Sequence, residues 1–190
     1  MSRLTKEKLG AVAILVVTIG LSLLLVSIPT EKLIAFVGTD NVYLFMYFIA
    51  FVGSITTFAS VPYPLILIGL AAGGINPLLI GLTSALGVIT ADTFTFYAAR
   101  KGRALLGERL QHSMVTIASY VERYPRLLTP GLVLYGTLSP LSNDFAVISL
   151  SLMRFKYFRV IIPLAFGNIA YSVGMAYLGV YAYDWVMGLG

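Results

Sequence analysis

The chain has no cysteine. That excludes a disulfide framework, a thiolate metal site and cysteine catalysis. Its single histidine, His112, cannot build a zinc site alone, and HExxH, GxSxG and Walker-type sequences are missing. No metal and no cofactor is therefore expected. Charge is scarce too. Only 11% of the 190 residues are charged, against roughly 25% in a soluble domain. Between Asp40 and Arg100 the one charged residue is Asp92, and from Val160 to Tyr183 there is none. A soluble enzyme, a disordered tail and a nucleic-acid binder are excluded, despite the net charge of +5. What is present is apolar: 58% of the residues, with a mean hydropathy of +0.90. The expected class is an all-α polytopic membrane protein with about four to six embedded segments.

The first apolar run is Leu9 to Ile28, 20 residues without a charge. At about 1.5 Å per residue it matches a bilayer core of about 30 Å. It follows Arg3, Lys6 and Lys8 and lacks a small-residue cleavage site, so a retained anchor is expected. Val42 to Asn76 is apolar but interrupted by Pro62-Tyr63-Pro64. Two prolines so close remove two amide donors and force a break. The piece after them is about 20 Å long as a helix, too short to span. Asn76-Pro77 signals a turn and a new start. Pro77 to Ala99 is then a full span, closed by Arg100-Lys101-Gly102-Arg103.

From 103 to 126, Leu106, Leu110, Met114, Ile117, Val121 and Tyr124 recur every three or four residues. That is the pattern of an amphipathic surface helix, which Pro125 is expected to stop. Leu127 to Met153 repeats the broken pattern, with Pro130, Gly131, Gly136 and Pro140 as breaks. It also contains a polar knot, Ser139-Pro140-Leu141-Ser142-Asn143-Asp144. Tyr157 to Tyr183 is the last span.

Charge placement selects the topology. If both broken stretches dip into the membrane and leave on the side they entered, twelve of the thirteen Lys and Arg fall on one face; only Lys32 does not. The positive-inside rule makes that face cytoplasmic. The expectation is a multi-pass cell-membrane protein, with its N-terminus cytoplasmic and its C-terminus outside. The same layout predicts an inverted repeat: a re-entrant helical hairpin plus a transmembrane helix, twice. Ala85-Leu86-Gly87 with Tyr97, and Ala165-Phe166-Gly167 with Tyr177, carry a faint self-similarity. Transporters of this design hold their sites at the midplane, between broken helices.

Asp92 stands inside a span, where a carboxylate costs roughly 2.5–3.5 kcal/mol on insertion scales. It shares a helical face with Gly81, Ala85 and Val88, so it should point into the bundle. Ser139, Ser142, Asn143 and Asp144 are placed to floor a polar cavity, since unwound backbone is tolerated only within protein or around water. Helix capping is the plainer role for the same residues. Asn168 and Ser172, four apart on the last span, suit hydrogen bonding between helices. Arg100, Arg154, Lys156 and Arg159 are expected as anchors at the headgroups of the inner leaflet. The expected partners are membrane lipids, with self-association left open.

Pro62-Tyr63-Pro64, Ala72-Gly73, Ala91-Asp92 with Phe96 four residues on, and Ala99-Arg100-Lys101-Gly102 together resemble the DedA/VTT (SNARE-associated) membrane proteins. Pro140 and the Met153-to-Phe158 spacing resemble that family's second hairpin and its exit. The resemblance covers roughly 60–179. It implies two inverted re-entrant hairpins and lipid handling, since members include lipid scramblases and flippases of polyprenyl-phosphate carriers; others are tied to export driven by the proton-motive force. It also implies a path through Asp92 and Arg100. Leu65 and Ile66 stand where members often carry a Glu, and Thr137 and Asn143 where they often carry Arg. The expected function is movement or scrambling of lipids or lipid-linked carriers along a polar path between the hairpins. The alternatives are a proton-coupled carrier for a small solute or ion, with Asp92 as relay, and a non-transporting scaffold using the surface helix. No enzyme activity is expected.

Overall fold

Long charge-free runs fold as helices in an apolar medium, because only a helix satisfies every backbone donor and acceptor within itself. In the computed structural model, residues 38, 41–55, 63–102, 123–138 and 143–188 are described. Among them are six helices and no strand: α1 (Val42–Ile55), α2 (Tyr63–Ala72), α3 (Pro77–Gly102), α4 (Pro125–Leu138), α5 (Asp144–Leu152) and α6 (Tyr157–Met187). Two of them, α3 and the Tyr157–Tyr183 part of α6, are long and apolar enough to cross a membrane. The expected anchor at 9–28, Pro62, most of the surface helix with His112, and Ser139, Pro140 and Ser142 lie outside the described residues.

The start of α3 follows its sequence signal. Asn76 Oδ1 accepts the amides of Leu78 and Leu79, at 3.1 Å each, and Pro77 takes the first helical position, where no donor is needed. Pro64 sits likewise in the first turn of α2. One expectation is corrected: α4, which Pro125 opens, runs unbroken through Pro130, Gly131 and Gly136. Pro130 and Arg126 are both exposed at the start of that helix. The ring is therefore accommodated at the surface, and the helical bond it removes is one to an exposed residue.

One turn is built twice. In the first, Gly74 donates its amide to Ala71 and Ile75 to Leu70; in the second, Arg154 donates to Ser151 and Phe155 to Leu150. Each residue of the second turn lies 80 positions beyond its counterpart in the first, and both turns have a left-handed residue at the same place: Gly74 at φ 91° and Arg154 at φ 67°. Glycine adopts that conformation without penalty, whereas an L-residue there costs roughly 1–2 kcal/mol. The spacing is the one that separates Gly87 from Gly167. Those two glycines also share a role. A Cβ on Gly87 would lie against the Tyr47 carbonyl of α1, and one on Gly167 would lie 2.6 Å from the Val133 carbonyl of α4. α3 thus takes α1, and α6 takes α4, at backbone contact.

The short helices do the reverse and pack on the long helix of the other half. Gly179 of α6 lies against Ile68 of α2. The Ser151 hydroxyl of α5 donates to the Phe96 carbonyl of α3, 2.6 Å away. The long helices run antiparallel, with Gly81 against Val173 at one end and Arg100 donating to the Phe155 carbonyl at the other. Two apolar clusters result. One joins Val42, Met46, Leu67, Leu70 and Ile80 with Val88 and Ala176. The other joins Val147, Leu150, Phe155 and Val160 with Phe96 and Leu164. Leu86, Phe94, Phe166 and Leu178 face outward, as lipid-facing side chains do.

Candidate functional site

A polar layer separates the two apolar clusters. Along α3 the buried side chains step Val88, Asp92, Phe96; along α6 they step Leu164, Asn168, Ser172, Ala176. Four-residue steps keep each series on one face. The outer members belong to the apolar clusters, so Asp92, Asn168 and Ser172 meet between them, near the middle of the long helices. Asp92 is 2% exposed.

Three helices close the layer. The Asn143 amide nitrogen donates to Asp92 Oδ2 at 3.2 Å and to Asn168 Oδ1 at 2.7 Å. The Asn168 amide donates to Asp92 Oδ2 at 3.0 Å. The three side chains form a bonded triangle, and one carboxylate oxygen receives two amide donors. Asn143 occupies the N-cap position of α5, but its side chain makes no capping bond. It reaches across to α3 and α6 instead, so capping does not account for it.

The short helices bring their starts to this layer. Tyr63, the first residue of α2, lies within electrostatic reach of Asp92 and Tyr171. Asp144, the first residue of α5, is buried and interacts electrostatically with Asp92. Each helix N-terminus carries a partial charge of about half a proton. Two of them directed at one layer help to hold a carboxylate there. The Ser84 and Ser172 hydroxyls are buried with no hydrogen-bond partner among the described residues. Ser172 lies one turn from Asn168 on the same face.

Of the residues expected in the polar path, the fold brings Asp92, Asn143 and Asp144 together. Arg100 is not among them. It stands two turns further along α3, over the Phe96 ring, and donates to the Phe155 carbonyl. Arg154, Lys156 and Arg159 surround that same end and are exposed. Sequence reasoning gave Asn168 interhelical hydrogen bonding, which it performs, but did not place it on Asp92. Its signal was an amide in the middle of a charge-free run. Tyr63 was seen only as the residue between two prolines, and nothing local marks its approach to Asp92.

A carboxylate fixed by two amides, with hydroxyls beside it, can receive a proton, a cation or a polar headgroup. Among the described residues no group of three His, Asp or Glu gathers to hold a metal ion. Compared with models of protein families, with curated proteins and with solved structures, the chain matches none.

Proposed function

We propose that the chain is a membrane transport protein that moves or scrambles lipids or lipid-linked carriers. Their headgroups pass along a polar path between two re-entrant hairpins. The observation that carries this reading is the Asp92–Asn143–Asn168 triangle, buried at mid-height between two long apolar helices and met by the starts of two short ones. A bilayer-embedded chain gains nothing in stability from such a layer that well-packed apolar residues would not provide. A path for polar groups is a reason to have it.

The hairpin reading rests on length and on repetition. At 10 and 9 residues, α2 and α5 extend about 15 Å and 14 Å, half a bilayer core. Each ends in the same turn and reverses into a long helix. With α3 and α6 antiparallel, that arrangement is an inverted repeat of hairpin plus span, and it agrees with the placement of the Lys and Arg residues. It is also the architecture that the DedA/VTT resemblance implies, and it supports placing the chain beside that family.

The test is reconstitution into liposomes with a fluorescent phospholipid and a quencher confined to the outside. Scrambling carries quenching beyond the outer-leaflet share. Quenching that stops at that share rejects the lipid reading. A proton- or cation-coupled carrier is the second reading, supported by the proximity of Asp92 and Asp144. Uptake driven by a pH gradient in the same vesicles, abolished in Asp92→Asn, would favour it.

A further inference from the structure

The repeated turn poses a question that its backbone does not answer. The first copy uses glycine at the left-handed position, Gly74, and a Cβ there would meet nothing within 4 Å. The second copy makes the same bonds with Arg154. Glycine would serve the turn better, and an L-residue kept in an unfavourable conformation points to a use for its side chain.

The surroundings indicate what that use is. Arg154 is exposed, as are Lys101, Lys156 and Arg159. Arg100 lies between these groups, tied to the Phe155 carbonyl and resting on Phe96; its buried Nε has no hydrogen-bond partner among the described residues. Five cations therefore share one end of the bundle. Among the described residues, the nearby carboxylates Asp92 and Asp144 are buried in the polar layer. Tyr97 and Tyr157 stack beside the cations, with ring centroids 5.4 Å apart, and Phe158 is exposed next to them. Aromatic rings at the end of an apolar span mark the headgroup level of a bilayer. A lipid-facing surface of this kind suits a phosphate fixed at that level.

We propose that Arg154, with Arg100, Lys101, Lys156 and Arg159, binds the phosphate of an anionic phospholipid headgroup at this end of the bundle. This rests on the reading of the chain as a membrane protein and is independent of whether it transports. Arg154 is held out by its turn as the exposed contact, and Arg100 is the fixed floor.

The experiment uses the full chain reconstituted with spin-labelled phosphatidylglycerol or phosphatidylcholine, comparing the motionally restricted fraction of each lipid. The intact protein should prefer phosphatidylglycerol. Arg154→Gly should lower that preference about fivefold, the worth of one cation at an anionic surface. It should also leave the melting temperature unchanged or higher, because glycine relieves the turn. Arg154→Asn, which also tolerates the left-handed region, should lose the preference equally. A preference that survives in Arg154→Gly overturns the proposal. So does a fall in melting temperature together with the loss of preference, since that is a structural role. Inorganic phosphate should compete no better than chloride at equal ionic strength; stronger competition would assign the site to free phosphate and reject the lipid.

Discussion

Asn143 and Asp92 meet at 3.2 Å across two helices, from positions 51 residues apart. The same amide also holds Asn168 at 2.7 Å, so the three side chains stand or fall together. Removing one member of such a buried network leaves the others unsatisfied, at about 1–3 kcal/mol. Asn168→Leu should therefore lower the melting temperature in detergent by several degrees. Replacing Asp92, Asn143 and Asn168 together by leucine should cost less than Asn168→Leu alone, because no member of the triangle is left without its partners. Both variants should lose transport. A triple variant much less stable than the single one would contradict this account.

Glycines at backbone contact should tolerate nothing larger. Gly87→Ala and Gly167→Ala each put a methyl group under 3 Å from a facing carbonyl, and overpacking of this kind costs typically 1–3 kcal/mol. Gly174→Ala has open space at its Cβ and gains helix propensity, up to about 1 kcal/mol. Thermal melts of the three should therefore differ in sign.

Two buried serines separate in the same way. Ser151 donates to the Phe96 carbonyl at 2.6 Å, whereas Ser84 has no partner among the described residues. Ser151→Ala should destabilise by about 1 kcal/mol. Ser84→Ala should be neutral or stabilising, since it removes an unsatisfied hydroxyl.

Sidedness gives a direct check on the repeat. Asn76 and Lys156 occupy the same place in the two copies of the turn, just before α3 and α6. Single cysteines at these two positions, in a chain that naturally has none, should react with an impermeant maleimide from opposite sides of a sealed vesicle. Labelling from one side would refute the inverted arrangement.

Much of this was legible in the sequence, for physical reasons. Asn76-Pro77 encodes a cap and a first helical residue locally, so the start of α3 could be read off. The lone acid in a long apolar run had to turn inward, and Asp92 does. Gly87 and Gly167 share neighbours and spacing in the sequence, and both lie at backbone contact. The losses were non-local or directional. Pro130 reads as a break, yet its effect depends on which side of the helix the ring faces. Asn143 reads equally as a cavity residue and as a cap, and only the approach of α3 and α6 fixes which partners its amide takes. Arg100 was joined to the acid's site by the family resemblance, but two turns of rise separate them. The twist that puts Asp144 and Tyr63 beside one carboxylate is set by packing between halves, which no local pattern contains.

The exchange of short helices between the halves has a consequence for how the chain is made. The long-helix partner of α2 is α6, the last of the described helices to be synthesised, and Ile68 has no Gly179 to rest on until then. That face of α2 therefore stays uncovered while everything between is translated. Neither half can reach its final packing as a separate product, so assembly is a late event, completed when the closing helix enters the membrane.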